Sequence, residues 1–89
     1  PDHARAWLGG VRGLEGASAL DPKTAALAYL AVLAALGLVG GVPFHAREAK
    51  RAGASRDEVK SAVLLGLPAT GMRAIQALPE ALAAFDAAD

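Results

Sequence analysis

The chain has 89 residues; 54% are hydrophobic, 20% are charged, and nine basic residues balance nine acidic ones. Zero net charge and few aromatic side chains argue against a nucleic-acid-binding protein. The absence of cysteine excludes disulfides, thiolate metal sites and thiol-based redox chemistry. A domain this small cannot easily bury so much apolar surface, so self-association is expected.

Two helices are predicted in the N-terminal half. The first runs from Asp2 to about Glu15, with apolar residues at helical spacing but several glycines that weaken it. Asp21 and Pro22 are typical of the N-cap and first position of a second helix, which the glycines from Gly37 onward loosen or end. Because apolar residues surround this second helix, we expect it to be buried on all sides.

The C-terminal half predicts three further helical segments. A helix from about Pro43 to Ala52 should end at the C-cap glycine Gly53. Ser55 and Glu58 form a capping-box pattern at the start of the next helix. A break then leads into helical residues 72–85, interrupted or kinked at Pro79, and residues 86–89 should fray. No strand pattern, internal repeat or linker is present, which predicts one all-α domain of about five helices over residues 1–89.

The uncharged segment from Thr24 to Phe44 is long enough to cross a bilayer. Its Asp-Pro start and glycine-rich end delimit a helix of globular length, about 16 residues. It also lacks the flanking Trp or Lys/Arg clusters of a membrane span. We therefore expect no membrane association, and a single-span membrane protein remains an alternative. The polar N-terminus carries no apparent secretory signal, so a cytoplasmic location is expected.

His45 is the main candidate for catalysis. Helical geometry, continued back through the glycines, places it with Leu38, Gly41 and Ala49 on the side that should face the apolar interior. One interpretation is a neutral core or interface histidine held by hydrogen bonds; the other is a general acid/base in a small pocket. Metal binding is not expected, because the only other histidine, His3, lies near the terminus.

The order of several segments resembles the carboxymuconolactone decarboxylase family, whose superfamily includes the alkylhydroperoxidase D-like proteins. The matching segments are Leu20–Thr24, Leu30–Gly37, Pro43–His45, Gly53–Val59 and Gly66–Ala69. The resemblance covers residues 20–84. It implies an all-helical, alkylhydroperoxidase D-like fold that forms homotrimers or homohexamers, with the active site between helices or subunits.

The residues at the family's active-site positions differ from the family pattern. In the peroxidase branch, Leu38 and Gly41 occupy the places of the two cysteines, and Ala26 that of a glutamate, so thiol peroxidase activity is not expected. In the decarboxylase branch, Leu38 and Ala25 replace arginines and Gly41 replaces a glutamate. A lactone substrate with carboxylates needs positive charge nearby, for which only Lys23, Arg47 and Arg73 remain.

The leading hypothesis is a small oligomer of this superfamily with a degenerate active site. If it is an enzyme, we expect His45 to transfer protons in a cofactor-free lactone or small-acid reaction of the decarboxylase or lyase type. Tyr29, Leu38, Gly41 and Phe44 are candidate substrate-binding residues. The alternative from another class is a non-catalytic helical oligomerisation module.

Overall fold

The computed structural model describes all residues, Pro1–Asp89, and contains seven α-helices, one 3₁₀ turn and no strand. The predicted all-α fold is therefore confirmed. Five helices have nine residues or more, and two are single turns. They are α1 (Asp2–Ala17), α2 (Pro22–Leu36), the 3₁₀ turn (Val39–Gly41), α3 (Val42–Arg51), α4 (Arg56–Leu64), α5 (Leu67–Thr70), α6 (Met72–Ile75) and α7 (Leu78–Ala87).

Local capping signals set the ends of the central helices as predicted. Pro22 is the first residue of α2, after the extended N-cap residue Asp21. Gly37 ends α2 in the left-handed region at φ 72°, a conformation that glycine adopts without a Cβ clash. The side chain of Ser55 accepts a hydrogen bond from the amide of Glu58, and the Glu58 carboxylate accepts one from the amide of Ser55. This reciprocal pair is the predicted capping box.

The helix predicted for residues 72–85 is divided in two. The region from 66 to 78 contains Gly71 at φ 63° and ψ −138°, a backbone conformation that only glycine adopts readily. The short α6 ends at Ile75, and α7 begins at Leu78. Pro79 therefore lies in the first turn of α7, where its missing N–H costs no hydrogen bond, rather than at a kink.

The core is built by packing α2, α3, α4 and α7 against one another. The largest fully buried side chains are those of Leu30, Val42, Val59 and Val63, and most other core residues are alanines. Small side chains let the helices approach closely, and the buried apolar cluster stabilises the fold. No polar side chain is buried.

Two basic side chains form hydrogen bonds that hold the C-terminal helix against this core. The ammonium of Lys50 donates to the carbonyls of Phe85 (2.7 Å) and Ala88 (2.8 Å) at the end of α7. The guanidinium of Arg56 donates to both carboxylate oxygens of Asp86, at 2.9 and 3.2 Å. The prediction that residues 86–89 fray is therefore wrong for residues 86–88, because side chains from α3 and α4 hold them.

The prediction that α2 is buried on all sides is also wrong for the single chain. Tyr29, Val32 and Leu36 lie on one face of α2 and are about half exposed. The first helix is still more exposed: α1 contains no buried residue, and its apolar side chains Trp7 and Leu14 are each about three-quarters exposed. None of the helices combines the length and apolarity that crossing a bilayer requires.

Candidate active site

His45 lies on α3, just after the glycine-containing connection from α2. Gly37 ends α2, so the helix does not continue through the glycines; the 3₁₀ turn Val39–Gly41 leads into α3 instead. In this register, the core-facing residues of α3 are Val42, Ala46 and Ala49. The continuous-helix geometry predicted that His45 points into the interior, and this prediction is wrong. His45 lies beside the core and is partly buried.

The imidazole of His45 lies in a groove between α1 and the rest of the fold, which we call the His45 groove. The groove has a volume of about 1310 Å³ and is bounded by α1 on one side and by α2 and α3 on the other. Trp7, Leu14 and Glu15 from α1 line it opposite Tyr29 and His45. Its walls are mainly apolar, because the α1 side chains that line it are apolar apart from Glu15.

Two aromatic side chains flank the imidazole. The ring centroids of Tyr29 and His45 are 4.6 Å apart, at an interplanar angle of 61°. Those of Phe44 and His45 are 5.0 Å apart, at 86°. Both pairs have the edge-to-face arrangement that aromatic rings favour. The predicted residues Tyr29, Phe44 and His45 therefore come together in one place.

The other two candidate residues are placed differently. A Cβ added at Gly41 would lie 3.9 Å from the Cδ2 atom of His45, so Gly41 is next to the imidazole, but it does not line the groove. Leu38 is about half exposed and also lies outside the groove lining. A role for Leu38 or Gly41 in binding substrate stays a prediction.

The surroundings of His45 favour its neutral form. Burial lowers the pKa of the imidazole below its ordinary value, while the negative charges of Glu48 and Glu15 raise it, and burial is the larger effect. The ring makes no hydrogen bond to another protein group, so its nitrogens are free to exchange a proton with a ligand. The hypothesis of a core histidine held by hydrogen bonds does not match this geometry, whereas a histidine at a subunit interface stays a prediction.

Residues from α1 complete the groove, and the sequence did not identify them as part of a site. The spacing of Trp7, Leu8, Val11 and Leu14 indicated an apolar helix face but not its neighbour. Nothing in the sequence links Glu15 to His45, because their proximity depends on where α1 lies relative to α2 and α3.

A second, shallower depression of about 700 Å³ lies between α2 and α4 and is lined by Lys23, Glu58 and Ser61 among others. The ammonium of Lys23 pairs with the Glu58 carboxylate at 2.8 Å. Lys23 and the Ser55 cap both hold the pKa of Glu58 below its usual range. This depression contains no histidine, and its one cation, Lys23, is already paired with Glu58.

Comparison with known proteins agrees with the resemblance described from the sequence. The family model described as "Carboxymuconolactone decarboxylase family" matches residues 1–89, the whole chain. No curated protein and no solved structure gave a significant match.

Proposed function

Because the chain belongs to the carboxymuconolactone decarboxylase family, we propose that it transfers protons on a small lactone or acid without a cofactor, and that His45 is the catalytic base. The observation that carries this proposal is the imidazole of His45, which lines the groove without a protein hydrogen-bond partner and whose pKa is lowered by burial. A neutral imidazole accepts a proton, and a histidine with a pKa near or below the operating pH is suited to that task.

The reaction that best suits this arrangement is a proton shift on an unsaturated lactone. A His45 nitrogen takes a proton from the carbon next to the double bond, and the electron pair left behind delocalises onto the carbonyl oxygen. The imidazolium then returns the proton to another carbon of the conjugated system. The product is an isomer of the substrate, so the step needs no oxidant, reductant or co-reactant.

Proton exchange with solvent tests this chemistry directly. A β,γ-unsaturated γ-lactone is incubated with the protein in D₂O, and loss of the substrate C–H signal is followed by NMR. We expect catalysed exchange, and a decrease of at least about 100-fold in the His45→Gln variant, the usual contribution of a general base. His3→Gln, which changes the exposed histidine on α1, should leave the rate unchanged. Equal rates in the wild type and His45→Gln would contradict the proposal.

Self-association is the second part of the proposal, as homotrimers or homohexamers. Supporting it are large apolar side chains that the single chain leaves exposed outside the His45 groove, among them Val32 and Leu36 on α2. A non-catalytic helical oligomerisation module would use the same surface. The two functions are separated by the exchange experiment, because an inert module would assemble and show no exchange.

A further inference from the structure

The only formally charged side chains that line the His45 groove are two carboxylates. Glu15 projects from α1 and Glu48 from α3, and no lysine or arginine is among the lining residues. The negative charges of both carboxylates act on His45, since each raises its pKa. A ligand beside the imidazole therefore meets an apolar wall, the carboxylate of Glu15 and that of Glu48, whose charge Arg51 partly neutralises.

None of the cations that could bind an acidic substrate lines the groove. Lys23 pairs with Glu58 on the far side of α2. The side chain of Arg73 packs against Gly37, where an added Cβ would lie 3.3 Å from its Cδ atom. Arg51 pairs with Glu48, but its guanidinium is mostly exposed to water. Arg47 is exposed and does not line the groove.

From this distribution we propose that the His45 groove takes an uncharged lactone with an apolar body and rejects one that carries a carboxylate. The inference rests on the proposed function and names its substrate class. An anion would lose its hydration against apolar walls without gaining a cationic partner. It would also be repelled by Glu15 and Glu48, whereas an uncharged lactone needs only a hydrogen-bond donor for its carbonyl. Tyr29 and the neutral imidazole each offer such a donor.

A matched pair of saturated lactones tests the inference without requiring turnover. The probes are γ-phenyl-γ-butyrolactone and its para-carboxylate, which differ only in the charged group. Binding is followed by the indole N–H resonance of ¹⁵N-labelled Trp7, the single tryptophan of the chain, which lines the groove. We expect the uncharged probe to bind at least about tenfold more tightly than the carboxylate, because the carboxylate is desolvated and repelled.

The glutamates should account for part of this preference. In the double variant Glu15→Gln, Glu48→Gln, the ratio of the two dissociation constants should fall to about threefold, the remainder being loss of hydration. Glu80→Gln, which removes an exposed carboxylate on α7 outside the groove, should leave the ratio unchanged. Equal or tighter binding of the carboxylate, or no binding of either probe at Trp7, would overturn the inference.

The proposed function and the substrate inference fail in different ways. Saturated probes cannot undergo the proton shift, so their binding reports only the selectivity of the groove. Preference for the uncharged probe together with absence of exchange would overturn the catalytic proposal alone. Exchange together with preference for the carboxylate would overturn the substrate inference alone.

Discussion

The edge of the Tyr29 ring meets the imidazole of His45 with the two centroids 4.6 Å apart. Tyr29 belongs to α2 and His45 to α3, so the contact crosses the interhelical junction formed by Gly37 and the 3₁₀ turn. Phe44 covers a second side of the same imidazole. Burial lowers the pKa of this imidazole, and the two aromatic rings are among the groups that surround it.

Shortening the side chain at position 29 should therefore raise the pKa of His45. In Tyr29→Ala, water reaches the imidazole, the loss of hydration that opposes protonation is reduced, and the pKa should move back toward 6.5, its ordinary value. Tyr29→Phe keeps the ring and should leave the pKa close to that of the wild type. The measurement is an NMR titration of the imidazole resonances. A pKa that is the same in Tyr29→Ala and wild type would show that Tyr29 does not shield the ring.

The same lowered pKa predicts how stability depends on pH. Above the ordinary pKa of 6.5 both the folded and the unfolded chain carry neutral His45, and the residue adds no pH dependence. As the pH falls below that value, the unfolded chain binds the proton first, so the folded state loses stability. The quantity to compare is the free energy of unfolding of the wild type minus that of His45→Gln. This difference should become smaller as the pH is lowered from about 7.5 to about 5.5. Urea denaturation of both proteins at each pH measures it; a difference that increases toward low pH would contradict the prediction.

Helix ends were predictable from the sequence because they depend on local chemistry. The Asp21–Pro22 start of α2, the Ser55–Glu58 capping box and the left-handed Gly37 each act within one turn of the chain. Prediction was poorer between Gly66 and Leu78, where two glycines and Pro68 admit several ways of dividing the chain into short helices. In the structure, α6 packs against α2, and this long-range contact favours the observed division into short helices.

The candidate site was predictable only in part. His45, Tyr29 and Phe44 were identified from the sequence. The predicted orientation of the imidazole was wrong, because the prediction took the helix of His45 to continue back through the glycines, which would turn the ring inward. The ring instead faces the groove, because the 3₁₀ turn changes the register of α3. The contribution of Glu15 depends on where α1 packs, and no local pattern encodes that position.

Lys50 of α3 contacts the distant end of α7, and removal of its ammonium should destabilise the fold. Its ammonium caps the C-terminal carbonyls of α7 and lies 4.5 Å from the centroid of the Phe85 ring. Lys50→Met keeps most of the apolar stem but loses two charge-assisted hydrogen bonds, which should lower the free energy of unfolding by about 1–3 kcal/mol. Lys60→Met, at an exposed position of α4, should change it by less than about 0.5 kcal/mol. Urea denaturation compares them; equal stabilities would show that the Lys50 cap does not hold α7.

The exposed apolar face of α2 outside the His45 groove gives the sharpest test of self-association. Leu36 is 58% exposed in the single chain and does not line the groove, so Leu36→Glu should change the stability of an isolated subunit by no more than about 0.5 kcal/mol. If another subunit covers this face, the same carboxylate would be buried without a partner and the assembly should dissociate. Gly9→Glu is the matched control, because it adds the same charge at an exposed position of α1 where an added Cβ meets no other atom. Light scattering coupled to size-exclusion chromatography should give an oligomer for the wild type and Gly9→Glu, and a monomer for Leu36→Glu. A wild type that is already monomeric, or a Leu36→Glu variant that assembles normally, would remove this face of α2 from the interface.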